Sequence, residues 1–142
     1  MNICENIIAC SRHFPQHTAI VQDDQWLSYD DVARLSANAA SALRAAGIAR
    51  QDRVAILLPN VPAFVIWYYA CQRLGAIAVT ISTRLNQEEV AFILSDSGSK
   101  VLIEVEIEGA EPTTERPPCV EQVFTVSENG EQLAGEALTN EE

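Results

Sequence analysis

The chain has 142 residues, with 48% apolar and 20% charged residues; that is enough for one domain with a core, and unlike a disordered or collagen-like chain. Its formal charge of −11 is concentrated late: residues 104–142 hold eleven acids against Arg116 alone, whereas residues 1–103 hold nine acids against eight bases. An acidic tail repels phosphate, so nucleic acid and anionic membrane surfaces are poor partners, and solubility is the simpler role of that charge.

The opening residues carry Glu5 ahead of any base and no small-residue cleavage site, which argues against a secretory leader. The longest apolar run, residues 61–71, falls short of the roughly 20 residues a membrane helix needs, so no transmembrane segment is expected. Cys4, Cys10, Cys71 and Cys119 form no C-x-x-C pair, which reads as reduced thiols in a cytoplasmic protein.

In chain order, Asn2 and Glu5 have capping-box spacing for a first helix carrying Ile3, Ile7, Cys10 and Phe14 on one face, stopped by Pro15. Residues 18–21 and 26–27 read as a small hairpin around a polar turn. Ser28 and Asp31 open a second helix with Val32, Leu35, Ala39, Leu43 and Ala46 at helical spacing, closed by Gly47. Residues 54–58 form an uninterrupted apolar strand, the pattern of a strand covered on both faces. Pro62 suits the first turn of a third helix, residues 62–74, which is apolar nearly all round and closes at Gly75. Residues 76–81 read as a second buried strand. Asn86 and Glu89 cap a fourth helix that ends at Gly98, and residues 100–105 and 120–126 are further strands.

Strands alternating with helices over short links predict an α/β fold, a mostly parallel sheet flanked by helices with a small N-terminal hairpin. Residues 1–105 form its core. Residues 106–118, with Gly109, Pro112, Pro117, Pro118 and several acids, read as a surface loop, so residues 106–142 comprise an acidic loop, one further strand and a frayed tail.

The residues that could carry chemistry mostly favour structural roles. There is no Gly-rich phosphate loop and no nucleophile elbow, and the turn after the first apolar strand, residues 59–62, spends two positions on proline where a phosphate cradle needs N–H donors. His13 and His17 are separated by Pro15 and cannot share a helical turn as metal ligands. Asp23 and Asp24 occupy a turn, and Asp30 and Asp31 a helix start, where acids are favoured for local reasons. Trp67, Tyr68 and Tyr69 point to different faces of the third helix, with Trp67 packing into the core and one tyrosine left to face a pocket or a neighbouring domain. Arg84 lies in a loop after a strand end, the edge where open α/β sheets bind ligands, although a loop-fixing salt bridge or carbonyl contact is the simpler role. No catalytic, cofactor-binding or metal residue is assigned.

Several blocks in register carry a resemblance. Arg12-His13-Phe14-Pro15 through Thr18-Ala19-Ile20 comes first, then Leu27-Ser28-Tyr29-Asp30-Asp31-Val32, then Gly47-Ile48-Ala49-Arg50-Gln51-Asp52-Arg53-Val54-Ala55-Ile56-Leu57-Leu58-Pro59-Asn60. Leu74-Gly75-Ala76-Ile77, Arg84-Leu85, Glu88-Glu89-Val90, and the run from Leu94-Ser95-Asp96-Ser97 to Lys100-Val101-Leu102-Ile103 follow in the same order. Together they resemble the opening of the adenylate-forming superfamily, the AMP-forming acyl-CoA synthetases and their kin. Gln51 replaces the glycine usual before Asp-Arg-Val, and Thr80 and Thr83 stand where proline is common.

The resemblance implies an N-terminal fragment of a ligase that joins a carboxylic acid to ATP and passes the acyl group to CoA. Such a ligase holds the ATP phosphates with a Ser/Thr/Gly-rich loop and a following lysine, expected after Leu138 and not found here. The expectation is therefore of a chain inactive by itself, with ATP, Mg and CoA serving the full-length parent. Its implied partner is the rest of the ligase chain, or a second copy, meeting the uncovered apolar surface of the third helix. The alternatives are a non-catalytic α/β binding or regulatory module, and a subunit completed in trans.

Overall fold

The computed structural model describes residues 2–106 and 116–127. Its elements are α1 (Cys4–His13), β1 (Thr18–Gln22), β2 (Gln25–Ser28), α2 (Tyr29–Ala45), β3 (Arg53–Leu57), α3 (Pro62–Leu74), β4 (Ile77–Thr80), α4 (Gln87–Ser97), β5 (Val101–Glu106) and β6 (Gln122–Ser127). The hairpin β1-β2 is antiparallel, and the other four strands make a wholly parallel sheet in the order β4-β3-β5-β6. The α/β class and the hairpin are as the sequence implied.

Local chemistry sets the ends of the helices. Ser28 Oγ accepts from the Asp31 amide at 3.0 Å while the Asp31 carboxylate accepts from the Ser28 amide at 2.9 Å. Asn86 and Glu89 do the same for α4, both at 2.9 Å. These reciprocal bonds satisfy amides that a helix start would otherwise leave unpaired. Both α3 and α4 stop at a left-handed glycine, Gly75 at φ 68° and Gly98 at φ 64°, a conformation that a Cβ disfavours.

The capping box expected at Asn2 and Glu5 is not formed. Asn2 Oδ1 accepts from the Cys4 amide at 3.0 Å, and its Nδ2 reaches across to the Gln72 carbonyl. Asn2 thus ties α1 to α3, and the reciprocal box stays open because its Oδ1 serves the Cys4 amide while the Glu5 amide donates to the Asn2 backbone carbonyl at 3.0 Å.

The core has two parts. Val54 and Ile56 of β3, with Val101 and Ile103 of β5, meet Leu35, Leu43, Ile66, Trp67 and Cys71 from α2 and α3. On the opposite face Ala55 and Leu102 meet Val90 and Leu94 of α4. The alternation follows from the pleat, which sends successive side chains to opposite faces. It confirms β3 as a strand covered on both sides.

Two expectations about burial are corrected. β4 is an edge strand rather than a buried one: Ala76 and Ile81 at its ends are enclosed, but Ile77 is 48% exposed because no strand lies beyond it among the described residues. The third helix is also covered by this chain alone. α2, α1 and β1 pack on α3, and none of its thirteen residues is exposed. The large exposed apolar side chains lie elsewhere and include Trp26 on the hairpin and Phe92 on α4. Most of the acidic loop and all of the frayed tail expected from the sequence fall outside the described residues, as do the two proposed domain limits in part.

Candidate functional site

Parallel α/β sheets present their ligand-binding loops at the carboxyl ends of the strands. Two such loops are described, residues 58–61 after β3 and residues 81–86 after β4. The first lies against the hairpin, where Gln22 Nε2 donates to the Asn60 carbonyl at 2.9 Å. Between them lies an open cleft of about 310 Å³, bordered by Ile20, Val21, Asn60, Phe64 and Val65. No sequence pattern announced the Gln22–Asn60 bond, since its partners are 38 positions apart.

The start of α3 points into this region. Val61 occupies the N-cap without a side-chain hydrogen bond and Pro62 follows in the first turn. Proline removes one N–H where an anion would be held, and the lining residues bring no lysine, arginine, serine or threonine. Arg84, in the second loop, is exposed, and its backbone amide donates to Ser82 Oγ at 3.3 Å. Its guanidinium makes neither the expected salt bridge nor a carbonyl contact among the described residues. The described cleft therefore does not fit a triphosphate.

The other candidates take the places their local chemistry implied. His13 and His17 are exposed, with the His17 ring stacked on Phe14 at 5.2 Å. Among the described residues no cluster of three His, Cys, Asp or Glu side chains could hold a metal ion. Asp23 sits in the hairpin turn at φ 51°, and Asp31 serves the capping box, whose backbone bond from Ser28 holds its carboxyl below the ordinary range. Trp67 is buried, its ring 5.3 Å from that of Phe124. Tyr68 and Tyr69 are half-buried and meet edge to face at 6.0 Å; burial, then Tyr68, raises the Tyr69 hydroxyl's pKa. Cys71 is enclosed in the core, and burial pushes its thiol up to about 12. That is the behaviour of a small hydrophobe, not of a nucleophile.

Among the described residues, then, no nucleophile meets a base and no group of cations converges. The family placement comes from the sequence. The profile of the AMP-binding enzyme family matches residues 9–142. The chain belongs to the AMP-binding enzyme family. Among its relatives, the long-chain-fatty-acid–CoA ligase FadD13 of Mycobacterium tuberculosis is 50% identical over 80 residues, 56% of this chain and 16% of the relative. A feruloyl-CoA synthase of an Amycolatopsis species is 41% identical over 93 residues, 66% of this chain and 19% of that enzyme. The inhibitor-bound crystal structure of the N-terminal domain of FACL13 from Mycobacterium tuberculosis superposes with a TM-score of 0.83 at 35% identity, over 98% of this chain and 35% of that one. The chain thus spans less than a fifth of these two curated relatives and about a third of the solved domain. Among the described residues no helix is long and apolar enough to cross a membrane.

Proposed function

We propose that this chain is the N-terminal portion of an acyl-CoA ligase, whose whole reaction joins a carboxylic acid to ATP and transfers the resulting acyl group to the thiol of CoA. The observation that carries this reading is the conjunction of a family match over residues 9–142 with 35% identity and a TM-score of 0.83 to a domain of a mycobacterial fatty acyl ligase relative. Its role is scaffolding: the strands β3 to β6 and their helices form one wall of a larger domain. ATP, Mg and CoA serve the parent reaction, and the groups that hold them belong to other parts of the ligase, since no lysine or arginine lines the described cleft. The rest of the ligase polypeptide is accordingly its partner, in a cytoplasmic setting consistent with four unpaired thiols.

The two curated relatives act, by their names, on a long-chain fatty acid and on ferulate, yet both align well with this segment. Selection of the acid is therefore assigned to segments outside it. The test is pyrophosphate exchange into ATP with fatty and aromatic acids and the purified chain. No exchange is expected. Exchange above background from a sequence-verified sample would show that the chain carries its own nucleotide site.

A further inference from the structure

Resting on the ligase reading, we infer that the solvent side of α4 is the surface on which the rest of the ligase polypeptide docks, through a segment bearing an apolar side chain flanked by lysine or arginine. Val90 and Leu94 face the sheet. At 100° per residue Phe92 then points directly away from it, with Glu88 and Asp96 one turn to either side. The residue that should be the most polar of the helix is instead a phenylalanine 68% exposed.

Phe92 is not an isolated surface ring. It joins Leu85 and Ile93 in lining a shallow depression of about 420 Å³, rimmed by Glu88 and Glu89. The Glu89 carboxylate is held by the Asn86 amide, whereas Glu88 and Asp96 have no ion-pair or hydrogen-bond partner among the described residues. An apolar floor beside the free Glu88 carboxylate, with Asp96 one turn beyond Phe92 on the same exposed face, is complementary to an apolar anchor with neighbouring cations. It repels the phosphates of ATP and CoA, which excludes those as occupants.

The length of the relatives argues for the same polypeptide as the occupant. The solved mycobacterial domain extends over nearly three times the stretch this chain matches, so a ligase of this family carries ample protein to cover the patch. A second copy is a poorer fit, because two such faces would bring Glu88 and Asp96 of each copy against those of the other.

The test grafts residues 1–127 in place of the aligned segment of the mycobacterial ligase and introduces Phe92→Cys in both the graft and the isolated chain. The rate of labelling by a thiol reagent is read at that position by peptide mass spectrometry. Docking predicts labelling roughly tenfold or more slower in the graft than in the isolated chain, and restored labelling when Glu88→Lys and Asp96→Lys are added. Equal rates in a folded graft overturn the inference, as does a graft that fails to fold. Concentration-dependent protection in the isolated chain overturns it in favour of a second copy. Pyrophosphate exchange by the graft is a separate readout: a folded, protected but inactive graft counts against the ligase reading alone, and an active graft with a freely labelled thiol counts against docking alone.

Discussion

Arg53, the first residue of β3, donates through Nε to the carbonyl oxygen of Ser97, the last residue of α4, at 2.7 Å. A cation thereby meets the negative end of the helix at the place where its final carbonyls lack partners. The same guanidinium crowds Gly98, where an added Cβ would lie 2.9 Å from Arg53 Nη2 in a backbone of φ +64°.

Gly98→Ala is therefore expected to lower stability by about 1–2 kcal/mol, from the left-handed backbone and the displaced guanidinium together. Arg53→Met should cost about 1 kcal/mol by removing the charged donor. Because both act on one contact, the double variant should lose less than the two single losses combined. Urea unfolding midpoints of the four proteins decide this, and strict additivity would refute the shared contact.

Gln51 lies at φ 68°, a left-handed position without the glycine that suits it. The turn is fixed by the Gln51 amide donating to the Gly75 carbonyl at 2.9 Å. Gln51→Gly relieves the strained Cβ but gives the unfolded chain more freedom, so a net gain of about 0.5–1 kcal/mol is expected. A lower thermal midpoint for the variant would show that the Gln51 side chain contributes more than its backbone costs.

The Asp52 carboxylate accepts from the Ala49 amide at 2.8 Å and pairs with Lys100 at 3.0 Å. The backbone bond first and Lys100 second hold its pKa below the ordinary 3.8. A depressed carboxyl contributes stability above its unfolded pKa and loses it as pH falls through the lower folded value. Asp52→Asn should thus be less stable than the parent at pH 7, with the gap closing as pH falls below about 4. Unfolding curves at pH 7 and pH 3 check the sign. A gap that widens in acid would contradict it.

Cys4 and Cys71 are buried, while Cys10 and Cys119 are half-buried. With its thiol pushed up to about 12, Cys71 should resist a thiol reagent at pH 8 in the folded protein, and Cys4 should be protected by burial. Native labelling is expected at Cys10 and Cys119, with all four cysteines reacting in urea. Reaction of Cys71 as fast as Cys10 in native buffer would show that the helix α3 opens readily.

Much of the architecture is legible residue by residue. The capping boxes at Ser28 and Asn86, Pro62 at the head of α3 and the glycines after α2, α3 and α4 each act within one turn of chain, so spacing alone reveals them. The parallel class follows from strands without polar alternation separated by helices. Asn2 shows where this stops: its spacing to Glu5 suits a capping box, but its Oδ1 accepts from the Cys4 amide instead and its Nδ2 reaches Gln72, 70 positions away. Arg84 shows the same in reverse, since the contact expected for it needs a partner that no described residue supplies.

Neighbouring residues alone specify the set of elements, most of their ends and the family, because helix caps, turn glycines and short motifs are local. Long-range packing is what puts β4 at the sheet's edge, encloses α3 with α1, α2 and the hairpin, and leaves Phe92 exposed on α4. Strand order is set by pairing of backbones that all offer the same N–H and C=O groups. Which apolar face finds cover therefore depends on where distant segments pack, and an apolar run reads the same whether its cover is near or far along the chain.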